Sequence, residues 1–591
     1  MVFCAPSWAP LLSSESIPDS IPICDFLFSE EHGRAPLVDS KSPFVWGSSG
    51  HGYSALEVRD RVDFLARALA QELGWHPNQG TEWEKMVGVF SVNAIDYLPL
   101  GWAVHRLSGI ATLANAAYSV DELTHQLRAS KASALFTCAS LLETALKAAE
   151  NCGIPRSRIY ILDTLGDATN GPNRPESFTS VSELIERGSR MDPLEALSWE
   201  KGQGAKQCAY LCFSSGTSGL PSSIGGGDGS WRLINVQKKG VMISHTNMIS
   251  QILLYSAYES PTRTENQRDI ALGLLPYSHI FGLAVFTTAV YRGETVVAMS
   301  KFDLESLFQA IQRCKINVLY LVPPVMIALV KNEALMKKYD LSSVRRIITG
   351  AAPLGLETAE GLFKIQPEWS ILQAYGLTET TAVATHTSPQ DIYFGSSGCL
   401  LPLVEARLLS PDGSELTSYD TPGELLLRGP TIVLGYLNND AANKETFHNA
   451  WLRTGDEAVV RKSPKGEDHI FIVDRIKELI KVKGFQVAPA ELEAHLLTHP
   501  AVADTAVIAV EDDDAGEVPK AFIVKSQGAS ASDQEIIRGI REHVEKDKAH
   551  YKWLRGGIEF ISEIPKSASG KILRRHLRDR ERVKRKRSSK L

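Results

Sequence analysis

Cysteine is scarce in this chain and badly placed for structural chemistry. The eight cysteines are scattered, and only Cys208 and Cys212 lie close together, on an apolar run suited to core packing. No disulfide framework or structural zinc is expected, which fits a reducing compartment. Uninterrupted hydrophobic runs are missing too. The longest, Ala271 to Val290, contains Pro276, His279 and two glycines, so it reads as a buried strand and helix, and no transmembrane segment is expected. The opening MVFCAPSWAP lacks the basic start and apolar core of a signal peptide. There is no excess of positive charge: the net charge is −6, and no nucleic-acid partner is expected. Nor is there a GxxxxGK[ST] phosphate loop.

What is present is a chain of 591 residues, 43% hydrophobic and 22% charged, enough for roughly four domain-sized lobes. Residues 1–53 read as irregular. Capping boxes start helices at Ser54–Glu57 and Ser119–Glu122. Strands are expected at 86–92, 133–137 and 158–162, with helices between them. That alternation implies a parallel, doubly wound α/β sheet. Residues 164–206 read as a polar surface excursion. The apolar strand 209–213 runs into Ser214-Ser215-Gly216-Thr217-Ser218-Gly219-Leu220-Pro221, where hydroxyls and backbone N–H groups can face an anion. Three more strand exits carry small, polar or catalytic types: Pro276 to His279, Gly350 to Pro353, and Tyr375 to Thr380. Ligands of open α/β sheets bind outside the carboxyl ends of strands, so the four exits suggest one crevice.

Residues 395–473 read as a β-rich subdomain ending the large domain, 1–473. A joint follows over 474–489, DRIKELIKVKGFQVAP. Ile476, Leu479 and Ile480 fall at i, i+3 and i+4, the spacing of one apolar helical face, and Pro489 opens a helix. Residues 490–591 read as a small α+β domain. It carries the flexible loop Pro565 to Lys571, a basic helix, and the tripeptide Ser589-Lys590-Leu591, which is read by the peroxisomal import receptor when it stands at a C-terminus.

The stretches SSGTSGLP, LPYSHIFG, GAAPL, QAYGLTET, WLRTGD, DRIKELIKVKGFQVAPAELE and PKSASGKILR stand in this order. Together they resemble the adenylate-forming superfamily, most closely 4-coumarate–CoA ligase-like fungal acyl- and aryl-CoA ligases. The resemblance implies ATP, Mg²⁺ and coenzyme A, with a carboxylic acid passing through acyl-AMP to a thioester. It implies that Ser214, Ser215, Gly216, Thr217, Ser218, Gly219 and Lys239 hold phosphates. Thr378 would touch the α-phosphate and Glu379 would hold Mg²⁺. Lys571 would bridge carboxylate and α-phosphate. Asp456 and Arg475 would hold the ribose, and Gly350, Ala351, Ala352, Tyr375 and Gly376 the adenine. Lys477 stands at the family's hinge position. Lys481, Lys483, Gly484 and Gln486 would face the site only after the small domain rotates. His279, Phe281, Val285, Gly350, Ala374 and Gly376 would line an apolar acyl pocket with no evident partner for a phenolic hydroxyl. One departure stands out: 17 residues, Ser222 to Lys238, intervene between Leu220-Pro221 and Lys239-Gly240. They are a surface extension, or a short in-frame intron carried into translation. A different thiol or oxygen acceptor, and a protein inactivated by this insertion, are the alternatives.

Overall fold

The computed structural model describes residues 1–163, 177–214, 238–264, 267–512, 514–526, 531–567 and 570–588. The phosphate-loop residues Ser215 to Gly219, most of the inserted stretch and Ser589 to Leu591 lie outside them.

Two large sheets form the body. The seven-stranded sheet sets Cys208–Phe213, Ile110–Ala114, Met86–Phe90, Ala134–Thr137 and Ile159–Ile161 side by side in parallel. Gly240–Ser244 and Gly435–Tyr436 add an antiparallel edge. In the nine-stranded sheet the parallel centre runs Ser370–Tyr375, Arg346–Thr349, Val318–Leu321, Ile270–Gly273, Thr295–Ala298 and Phe44–Trp46. This is the expected doubly wound architecture with antiparallel margins.

Successive strand residues point to opposite faces, and here both faces are buried. Val87 and Val89 enter a central core, whereas Met86 and Phe90 enter a cluster on the other face. Val318 and Tyr320 join the same central core, and Leu319 and Leu321 pack outward. The inner faces of both sheets therefore share one core, together with Met248 and Phe286 from the helices His245–Glu259 and Ile280–Tyr291. Every residue of Ile280–Tyr291 is buried, which explains why that run is apolar all round.

A smaller sheet around Glu405–Leu409, Gly423–Arg428 and Trp451–Lys462 follows. From Ile480 onward the chain builds its own sheet, helices and core, centred on Ile508, Phe522 and Ile540.

Three readings need correction. Residues 1–53 are not wholly irregular: Phe44–Trp46 pairs with Thr295–Ala298, and a helix covers Ile23–Phe28. Within 164–206, Val181–Gly188 is an amphipathic helix capped by Ser180 and Glu183, with Val181, Leu184 and Ile185 buried. The joint is not helical at its start. Strand Asp468–Arg475 ends there, a turn follows, and Ile480–Val482 is a strand. Leu479 and Ile480 are buried while Ile476 is 38% exposed, so the i, i+3, i+4 spacing reflects a turn between strands.

Candidate active site

Four strand ends open into one cleft of about 1470 Å³ between the large and small domains. The exits of Cys208–Phe213, Arg346–Thr349 and Ser370–Tyr375 supply Ser214, Gly350 and Ala351, and Gly376, Thr378 and Glu379; Ile270–Gly273 leads to His279 and Phe281. From the joint come Arg475 and Lys477, and from the small domain Lys571.

The turn after Ser370–Tyr375 demands glycine. A Cβ at Gly376 would stand 1.4 Å from the Ala382 carbonyl oxygen, closer than any non-bonded approach. That tight turn sends Thr378–Thr380 into a single 3₁₀ turn, putting Thr378 and Glu379 on the cleft wall. At Gly350 a Cβ would come 2.9 Å from the Ala374 carbonyl and 3.6 Å from the Phe281 ring.

His279 caps the helix Ile280–Tyr291, its Nδ1 accepting the Phe281 N–H at 3.2 Å. That bond assigns the ring proton to Nε2. Burial, and then the nearby Lys571, pull its pKa down to about 4, so the imidazole is neutral at physiological pH. Burial also lowers Lys571, to about 7, with Arg475 adding to the fall and Asp456 opposing it. An ammonium this close to losing its proton is poised for an anionic partner.

Asp456 is 3% exposed and is approached from two sides. The Tyr375 hydroxyl donates to Oδ2 at 2.6 Å, and Arg475 Nε lies 3.5 Å from Oδ1. Burial raises the Asp456 carboxyl, and Arg475 and Tyr375 pull it back. Beside the entrance, Glu379 Oε1 accepts the Tyr436 hydroxyl at 2.8 Å, and the Lys239 ammonium sits 4.4 Å above the Tyr436 ring. Glu379 has a second carboxylate oxygen, a hard oxygen ligand of the kind that suits a Mg²⁺ ion keeping most of its waters.

Of the expected residues, His279, Phe281, Ala374, Tyr375, Gly376, Thr378, Glu379, Gly350, Ala351, Ser214, Arg475, Lys477 and Lys571 line the cleft. Asp456 and Lys239 are off the lining, Asp456 bonded to the Tyr375 hydroxyl and Lys239 over the ring of Tyr436, the partner of Glu379. Ala352 and Val285 are not on the lining; Val285 lies within the wholly buried helix, 2% exposed. Lys481, Lys483, Gly484 and Gln486 are exposed and outside the cleft. They sit on a hairpin whose turn, Lys483-Gly484, has positive φ at both residues, as a two-residue type I′ turn needs. Lys477 is exposed at the joint, 3.8 Å from Glu445. Two residues that sequence reasoning missed join the site: Tyr436, through an edge strand, and Glu122, whose carboxylate holds Lys238 at 2.7 Å. The capping box at Ser119–Glu122 marked that helix but not the lysine.

Comparison with known proteins follows the same outline. The AMP-binding enzyme family matches residues 32–224 and 236–437, breaking within the inserted stretch, and the AMP-binding enzyme C-terminal domain matches 491–571. The acyl-CoA ligase easD of Emericella nidulans is 41% identical over 98% of this chain and 100% of its own length. The acyl-CoA ligase cm3C of Cordyceps militaris is 38% identical over 98% of this chain and 90% of its own. Among solved structures, the anthranilate CoA ligase AuaEII in complex with anthranoyl-AMP superposes with a TM-score of 0.77 at 24% identity, covering 96% of this chain and 98% of that one. The o-succinylbenzoate CoA synthetase of Bacillus subtilis gives 0.72 at 24% identity, covering 94% and 98%. The chain belongs to the AMP-binding enzyme family, and within it to the acyl-CoA ligases.

Proposed function

We propose that this protein activates a carboxylic acid with an apolar aryl or medium-length tail in two steps on one site. In the first, a carboxylate oxygen of the acid attacks the α-phosphorus of ATP. The bond to the bridging oxygen breaks, leaving acyl-AMP and pyrophosphate. In the second, the thiolate of coenzyme A attacks the acyl carbon and AMP leaves. The observation that carries the reading is Lys571, delivered by the small domain to a cleft lined by His279, Thr378 and Arg475, the last of these paired with Asp456.

Charge explains the arrangement. Carboxylate and triphosphate repel each other, so the first step needs aligned donors and cations. Lys571 and Arg475 supply the cations. Thr378 offers a hydroxyl and Ser214 the first hydroxyl of the phosphate loop. Asp456, with one oxygen fixed by Tyr375, accepts from ribose hydroxyls. Mg²⁺ bound at Glu379 would neutralise phosphate charge. Phe281, Ala374, Ala382 and Val383 give the acyl lobe an apolar wall, and neutral His279 adds no charge to it. Rotation about 474–489 would exchange Lys571 for the hairpin bearing Lys481, so one adenylate meets both half-reactions away from bulk water. We propose also that Ser589-Lys590-Leu591 addresses the protein to the peroxisome; deleting the three residues should leave activity intact and turn punctate localisation cytosolic.

The test is a panel of aryl and medium-chain acids, with AMP release and thioester formation measured together. Coenzyme A-dependent AMP release matched by acyl-CoA is the expected result. AMP release without thioester would assign another acceptor, and no pyrophosphate exchange with any acid would refute the reading.

A further inference from the structure

One short helix of the large domain, Pro323–Lys331, touches the small domain in the orientation that brings Lys571 into the cleft. That helix meets the small domain at both ends. At its start, Val322 and Pro324 pack against Gly570, next to Lys571; a Cβ at Gly570 would lie 3.3 Å from Val322 and 3.4 Å from Pro324. At its end, the Lys331 ammonium donates to the carbonyl oxygens of Val502 at 3.1 Å and Ala503 at 3.2 Å.

The receiving carbonyls have a structural reason to be there. The long strand Val502–Asp512 pairs Val502 with Lys525 and Asp504 with Val524, so Ala503 is the extra residue of a β-bulge. A bulge leaves its residue out of the ladder and re-aims the backbone. The neighbouring carboxylate, Asp504, is held by Lys566 at 2.7 Å, in the loop that carries Lys571. Burial lowers the Lys331 pKa, with Asp504 opposing.

We propose that Lys331 is a positioning residue that latches the small domain in the adenylating orientation. This rests on the two-step reading above. Rotation about the joint carries Val502 and Ala503 away from Lys331, so both bonds exist in one orientation and are absent from the other. Interactions made in only one state bias the equilibrium by their full differential worth. Lys331 touches neither nucleotide nor acid, and acts through the placement of Lys571.

Lys331→Met keeps the apolar stem and removes the donors; Lys331→Arg restores donors. In the full chain, K331M should lower kcat/KM for ATP–pyrophosphate exchange about tenfold, as expected for losing charge-assisted bonds at a mobile interface. Thioester formation from supplied acyl-AMP should be unchanged or faster, and K331R should recover most of the exchange. Equal loss in both half-reactions, no loss of exchange, or no rescue by arginine would overturn the latch. A readout independent of turnover is energy transfer between dyes at Lys364→Cys and Lys546→Cys in a background that replaces the exposed Cys4 and the part-exposed Cys152 and Cys314 with serine. K331M should enlarge the population at the second distance; an unchanged distribution overturns the proposal. Absence of exchange in the wild type would refute the two-step reading instead, leaving the dye distances to judge the latch.

Discussion

Replacing Lys571 and Lys481 in separate variants should divide the reaction in two. Lys571 lines the cleft within Coulombic reach of Asp456, Arg475 and His279, whereas Lys481 is exposed on the far hairpin. Lys571→Ala removes a cation aimed at charge that develops on the α-phosphate. Losing one such donor costs about 10²–10³ in rate, or about 2.7–4 kcal/mol. Lys481→Ala, which trims an exposed side chain outside the cleft lining, should leave adenylation within about twofold, since distant exposed changes are usually worth under about 0.5 kcal/mol. ATP–pyrophosphate exchange measures the first step. Single-turnover thioester formation from synthetic acyl-AMP measures the second, where the order should reverse: Lys481→Ala slow, Lys571→Ala near wild type. Equal losses in both assays for either variant would refute the assignment of the two lysines to opposite orientations.

Three further outcomes follow from the same geometry. With Lys571 lowered to about 7, its ammonium is lost as pH rises through that value. The kcat/KM for adenylation, which reports the free enzyme, should therefore fall about tenfold per pH unit above it; Lys571→Arg, whose guanidinium stays charged, should flatten that limb. Gly376→Ala places a methyl 1.4 Å from the Ala382 carbonyl and should abolish exchange, while Gly455→Ala, with nothing within 4 Å but a φ of +70°, should cost about 1 kcal/mol or somewhat more in stability, seen as a lowered melting midpoint. His279→Ala removes a helix cap worth about 1 kcal/mol, and His279→Asn should recover the midpoint because an amide oxygen can take the same N–H.

Much of the fold was legible because its strands are buried on both faces. A run such as Met86–Phe90 needs apolar residues at every position, and the residues that break such runs are those that reach the cleft: His279, Gly350, Gly376. What stayed hidden depended on contacts far apart in sequence. Tyr436 reaches Glu379 across 57 residues, because a two-residue edge strand pairs with Gly240–Ser244; no local period marks it. The helix Val181–Gly188 did carry its capping box in the sequence, but polar neighbours masked the signal. The turn at 476–479 mimicked a helical face because only three apolar residues were available to judge it. Lys331 was invisible in principle, since its partners are backbone carbonyls on a bulge 171 and 172 residues away.

The inserted stretch can be judged by what holds its ends. Strands Cys208–Phe213 and Gly240–Ser244 pair antiparallel, with Phe213 opposite Gly240, and Ser214 N–H donates to the Lys239 carbonyl at 3.0 Å. The two sides of the phosphate loop are thus pinned together at its base, whatever lies between. Lys238, the last inserted residue, is fixed as well, on Glu122 at 2.7 Å and over the Tyr118 ring at 3.5 Å. Removing Ser222 to Lys238 shortens the span between these anchors from about 24 residues to about 7, which by the logarithmic closure law recovers about 1 kcal/mol. Against this stands the loss of one partly exposed ion pair, worth about 0–1 kcal/mol. The deletion should therefore leave stability near that of the full chain, and place Lys239 directly after Pro221, closing the loop's hydroxyls and lysine over the same phosphates. The KM for ATP should fall and pyrophosphate exchange should rise. A deletion variant that folds with an unchanged melting midpoint yet exchanges no faster than the 591-residue chain would show that the insertion already bulges clear of the phosphates.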